Sequence, residues 1–153
     1  TDYNLLFKSF DNVEPSLYLG DKYKPKMNKF KIRSGLNFKQ WQGYGWMHED
    51  DPYGWFEWYT KYYNGRRHLD DDRQIRRWQD FCGINGRWKL NIYKKIHDSG
   101  DWDVSPRVAQ SLLHWGYLIN KPDYYHWCEM NNKTYKEEEW CEYGGLPSPK
   151  AYE

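Results

Sequence analysis

Apolar positions recur with a helical period through the middle of the chain. From Trp55 onward rings fall at Trp55, Trp58, Tyr59 and Tyr62, with Phe56 and Tyr63 widening the stripe. Glu57, Thr60 and Lys61 occupy the other side. This is the pattern of an amphipathic helix with a broad aromatic face. Asp51 followed by Pro52 predicts its N-cap and first turn, and Asn64–Gly65 its stop. A second helix is predicted after Asp70 or Asp71, carrying Ile75, Trp78 and Cys82 at i, i+3 and i+7 with Phe81 beside them, and ending at Gly83. A third follows Asn85, aligns Trp88, Ile92 and Ile96, and closes at Gly100. Ser105–Pro106 repeats the cap-then-proline device and opens a fourth. Its stripe is Val108, Leu112, Trp115 and Ile119, with Ala109 and Gly116 small enough to admit another helix closely. Short helices with short connections predict a mainly α fold, a compact bundle of about four helices.

The flanks carry less pattern. Residues 1–40 predict an extended N-terminal arm packed on the body through Leu5, Leu6, Phe7, Phe10, Leu17 and Tyr18. The Lys-rich run "GDKYKPKMNKFKIRSG" equally suits a basic arm that contacts nucleic acid. Beyond Ile119, "NKPDYYHWCEMNN" shows no period, "KTYKEEEWCEY" suits a short helix and "GGLPSPKAYE" reads as a flexible tail. The expected organisation is an arm over 1–40, a helical core domain over 41–119 and a partly flexible, irregular C-terminal extension over 120–153.

Composition changes the picture in one respect: the core has to be aromatic. The chain has 10 Trp, 15 Tyr and 6 Phe, which together outnumber its Ile, Leu and Val. Each ring buries roughly 150–250 Å², so a few replace many leucines. Trp55, Trp58, Trp78, Trp88 and Trp115 are expected to share one buried cluster. Cys82, Cys128 and Cys141 are widely spaced, with no CxxC pair, and read as buried free thiols rather than zinc ligands or disulfides. No apolar run long enough to span a bilayer and no signal-peptide pattern is present, which predicts a soluble, intracellular, non-secreted protein away from membranes.

"GWMHEDDPYGWFEWYTKYYNGRRHLDDDRQIRRWQDF", followed by "SPRVAQSLLHWGY", resembles a widespread family of small uncharacterised Trp-rich helical proteins. Its members share a pattern like GW-x-H-x-x-DP-x-GWF-x-WY, then GRR, RQI-x-RW and a final LLHW. The likeness spans residues 41–117, with a looser echo at 18–23. It implies a self-contained helical unit and carries no activity, cofactor or catalytic residue.

Net charge is +1, distributed as +4 over residues 1–40, −4 over 41–60, +6 over 61–95 and −5 over 96–153. Six of the eight arginines fall between 66 and 87. An arginine-rich helix face suits phosphate, so the leading expectation is a non-catalytic binding module with nucleic acid as its partner. Arg66, Arg67, Arg73, Arg76, Arg77 and Arg87 are the expected phosphate contacts, assisted by Lys89, Lys94 and Lys95, with Trp46 as the ring for stacking. The acidic segment 137–142 is placed to mask them. The alternative is a structural or assembly protein docking on protein neighbours through its arm and tail. A third reading is a hydrolase-type enzyme using His48 and the adjacent Glu49, Asp50 and Asp51. His68 with Asp70–Asp72 offers ligand types as well, but a helix of about 13 residues would hold the two clusters about 20 Å apart. Neither has the spacing of a motif such as HExxH, so no metal or cofactor is expected.

Overall fold

The computed structural model describes Glu14 and residues 22–135. Expectations for the rest of the arm and for the tail beyond Tyr135 lie outside the described residues, as do Cys141 and the acidic segment. Among the described residues the fold is mainly α: a 3-10 turn at Pro25–Met27 and helices α1 (Phe38–Gly43), α2 (Trp55–Tyr63), α3 (Asp71–Cys82), α4 (Arg87–Ser99), α5 (Pro106–His114) and α6 (Lys121–Met130). No strand forms among them; the one β-like contact is an isolated bridge between His48 and Asp51. The chain divides into two compact units, Thr1–Trp78 and Gln79–Glu153.

In the first unit, α1 starts at a capping box. Asn37 accepts from the Gln40 backbone N–H, and the Gln40 side chain accepts from that of Asn37, 3.0 Å each. This helix was not expected from the hydrophobic pattern; the Asn-x-x-Gln spacing is the signal that marks it. α2 begins later than Asp51–Pro52 predicts. Its N-cap is Gly54, at φ +87, a backbone conformation that favours glycine. Glu57 reaches back to accept from the Tyr53 N–H at 2.9 Å. Trp55 and Trp58 are buried, whereas Phe56, Tyr59 and Tyr63 point outward and are exposed. The aromatic face of α2 is therefore split between core and surface. Trp58 donates its indole N–H to Asp71 at 2.8 Å, tying α2 to the start of α3.

In the second unit α4 packs against α5 and α6. Ile92, Tyr93 and Ile96 of α4 meet Ala109 and Leu112 of α5 and Tyr124, Trp127 and Cys128 of α6 in the buried set. Tyr124 is fully enclosed, its ring about 6 Å from those of Tyr93, Trp102 and Trp127, and its hydroxyl 3.0 Å from His97 Nδ1. The α6 segment showed no period in the sequence, yet Asn120 caps it by accepting from Asp123 N–H at 2.9 Å and Pro122 sits in its first turn. Gly116 is not a helix-packing residue. At φ +75 it ends α5, with its own N–H bonded to Leu113 O and that of Tyr117 to Leu112 O.

The five tryptophans expected in one cluster fall in both units. Trp55 and Trp58 are buried in the first unit and Trp115 in the second, where it stacks on Phe81 at 5.1 Å; Trp78 and Trp88 are half-buried. Cys82 and Cys128 are buried free thiols, and burial pushes Cys82 up to about 12. Among the described residues no helix is long and apolar enough to cross a membrane. Replacing Trp58 with Ala removes a buried ring and the indole donor to Asp71 Oδ1; unfolding in urea should show a loss of about 3–5 kcal/mol. A loss below about 1 kcal/mol would contradict this packing.

Candidate functional site

Two short sequences that looked unrelated fold alike. His48-Glu49-Asp50-Asp51 and His68-Leu69-Asp70-Asp71 each close a turn in which the second Asp N–H bonds to the His carbonyl, at 3.0 and 3.1 Å. In each, the first Asp N–H also donates to the His Nδ1 at 3.2 Å. The two turns come together. The imidazoles meet edge to face with centroids 4.8 Å apart, and His68 Nε2 lies 2.9 Å from Asp50 Oδ2. Because His68 Nδ1 accepts from Asp70, its proton sits on Nε2 and is donated to Asp50.

This overturns the expectation that the clusters lie at opposite ends of a helix. The chain on both sides of α2 folds back along it, and one carboxylate does the holding. Asp51 is fully buried and receives Arg66 Nη1 at 2.7 Å and Nη2 at 2.5 Å, with Lys61 Nζ at 3.0 Å. Lys61 also donates to the Asp50 carbonyl at 2.8 Å and pairs with Glu57 at 2.8 Å. Asp51 is therefore no helix cap; its oxygens are committed to cations from the last turn of α2 and the segment after it. Burial alone would raise its pKa, but the bonds from Arg66 and Lys61 outweigh burial and hold it below the usual carboxylate range.

The nine basic residues expected to grip phosphate are shared between the two units, and most of them are already engaged. Arg66 is spent on Asp51. Arg67 donates to the Tyr62 and Arg66 carbonyls and lies over the Tyr62 ring. Arg73 forks onto Asp70, and Arg77 donates to the buried Gln74 side chain at 2.9 Å. Arg76 is exposed and forms no ion pair among the described residues. In the second unit Lys89 pairs with Asp123 at 2.7 Å and Lys94 with Asp98 at 2.5 Å, while Lys95 reaches the Ser105 hydroxyl at 3.3 Å. Arg87 covers Trp88 and joins Trp88, Asn91, Lys94, Trp127 and Asn131 around an open groove of about 540 Å³.

Trp46 is better placed. It is partly exposed, stacks on the more exposed Tyr44 at 5.1 Å and has the Arg77 guanidinium 5.8 Å from its ring. Arg73 also donates to its carbonyl, at 3.4 Å. Upstream lies a feature that counting charge by segment blurred. Residues 22–47 hold Lys22, Lys24, Lys26, Lys29, Lys31, Arg33 and Lys39 and no carboxylate. Among the described residues none of these seven forms an ion pair.

Compared with protein-family models, with curated proteins and with solved structures, the chain matches none.

Substituting Asp51 with Asn removes the charge that Arg66 and Lys61 share. Both cations are partly exposed, so the expected loss is near the low end for a broken buried pair, about 3 kcal/mol. Since the folded pKa of Asp51 is lowered, its contribution is present above the unfolded carboxylate value and is lost as pH falls through and below about 4. Urea midpoints measured from pH 6 downward should drop more steeply in the native protein than in Asp51→Asn. Parallel pH profiles would contradict the clamp.

Proposed function

We propose that the protein is a non-catalytic module that binds single-stranded nucleic acid through residues 22–46 of the first unit. The observation that carries this reading is the run of seven cations without a carboxylate, interleaved with the exposed rings of Tyr23, Phe38, Tyr44 and Trp46. Phosphates need cations that are not already neutralised, and bases need ring faces; single-strand binding uses both together. The contact set therefore shifts from the arginines of α3 toward the lysines that precede α1, with Tyr44 joining Trp46 as a stacking ring. The groove lined by Arg87, Lys94, Trp88 and Trp127 offers similar chemistry in the second unit. Membership of the Trp-rich helical family belongs to the same proposal and rests on the ordered tryptophan pattern.

A second reading, docking on a protein neighbour, draws support from the outward stripe of Phe56, Tyr59 and Tyr63 on α2. The hydrolase reading needs an imidazole free to act as a base. His68 has both ring nitrogens engaged, and His48 Nδ1 is held by a backbone N–H, so neither Nδ1 is a free base.

Binding of a fluorescent single strand should weaken with salt, with a slope of roughly −0.7 in log K against log salt per phosphate contact. Reversing Lys22, Lys26 and Lys39 to Glu should flatten that slope. Tyr44→Ala should cost about 1–3 kcal/mol of affinity with the slope unchanged. No salt-dependent binding at low ionic strength would end the proposal and leave protein docking as the reading to pursue.

A further inference from the structure

We propose that His48, Asp50 and His68 form a binding site for one divalent transition-metal ion of the zinc class, with solvent completing its coordination. The two separations to Asp50 suit such an ion. Bonds of about 2.0–2.1 Å in a tetrahedral shell place ligand atoms about 3.3 Å apart. His68 Nε2 and His48 Nδ1 lie 2.9 and 3.5 Å from Asp50 Oδ2. All three donor atoms fall within 4.8 Å of one another, and the two imidazoles come to within about 4.2 Å, twice the bond length, when the ion binds. Two imidazole nitrogens and one carboxylate oxygen are a borderline donor set, which selects zinc-like ions over magnesium or calcium. The side chains are 32%, 57% and 19% exposed, so an ion and its remaining waters have a way in.

The surroundings favour a cation despite the basic residues nearby. Lys61 and Arg66 are neutralised by Asp51 and Glu57, and Arg73 by Asp70. Among the described residues Asp50 pairs with neither Lys nor Arg. The two turns that carry the donors are also held from behind. Lys61 fixes the Asp50 carbonyl, and Asp71 Oδ2 accepts from the His68 N–H at 2.9 Å. Binding has a defined exchange. His48 Nδ1 gives up its contact with the Asp50 N–H for the ion. His68 binds through Nε2, so its ring proton moves to Nδ1 and the contact from the Asp70 N–H is released. Both contacts are 3.2 Å, at the long end for a hydrogen bond.

The test uses the full chain, stripped with a chelator and titrated with zinc(II) or cobalt(II) in the absence of nucleic acid, so it stands apart from the binding proposal above. One equivalent should bind, the thermal midpoint should rise, and cobalt should gain visible absorption as it leaves octahedral water. Asp50→Asn and His68→Gln should each weaken binding by about tenfold or more, while His126→Gln, in the second unit, should leave it unchanged. Asp50 is exposed, so its variant keeps the fold, and its unfolding midpoint without metal checks this. Absence of saturable binding, or binding that survives Asp50→Asn, would overturn the site.

Discussion

The first unit depends on a carboxylate with no access to water. Asp51 sits in the interior with three donors from two cations aimed at it. Burying an ionised carboxylate unpaired would cost many kcal/mol, and the fork of Arg66 with Lys61 makes burial tolerable rather than strongly favourable. What the arrangement supplies is geometry. Arg66 and Lys61 can both reach Asp51 only if the chain before α2 lies beside its last turns and the chain after α2 bends back. Once that holds, the second turn of His-x-Asp-Asp is delivered to the first, and Asp71 is delivered to Trp58. One buried charge thus sets the path of the chain on either side of a short helix.

The same residues that build the clamp are removed from other work. An arginine cluster in a sequence suggests phosphate, but Arg66, Arg73 and Arg77 have partners within their own unit. Surface cations held by fully or partly buried acceptors are poor candidates for counterion release. The lysines of residues 22–39 precede the clamp, lie among exposed rings and have no carboxylate in their own stretch. The second unit shows a comparable trade. Lys89 closes a chain from Asp123 through the Tyr117 hydroxyl to that of Tyr93, so a lysine that looked like a phosphate ligand instead finishes a hydrogen-bond network between α4 and α6.

Helices with periodic stripes were legible in the sequence: α2 through α5 lie where the spacing of Trp58, Cys82, Ile92, Ile96 and Leu112 puts them. The misreadings share a physical origin. Asp–Pro is a common helix start, and nothing local reveals that Arg66, fifteen residues on, claims the Asp51 oxygens. α6 shows little period because Tyr124, Trp127 and Cys128 form a stripe of only three residues, although Asn120, Pro122 and Asp123 spell a helix start. A helix running from one acidic cluster to the other would keep the candidate metal ligands apart, but α2 spans only Trp55–Tyr63 and the chain turns back at both ends. The signal that could have found it is the repeat itself, His-x-Asp-Asp at 48–51 and again at 68–71. A repeated turn with the same donors and acceptors is a reason to ask whether the copies meet.

The meeting of the two turns can be observed directly. Ring protons of His48 and His68, with centroids 4.8 Å apart, should give a nuclear Overhauser contact in the native protein. That contact should disappear in Asp51→Asn, while the contacts between the Tyr124 and Trp127 rings of the second unit persist. A His48–His68 contact that is absent from the native protein, or that survives loss of the Asp51 charge, would contradict the clamp as the organising interaction.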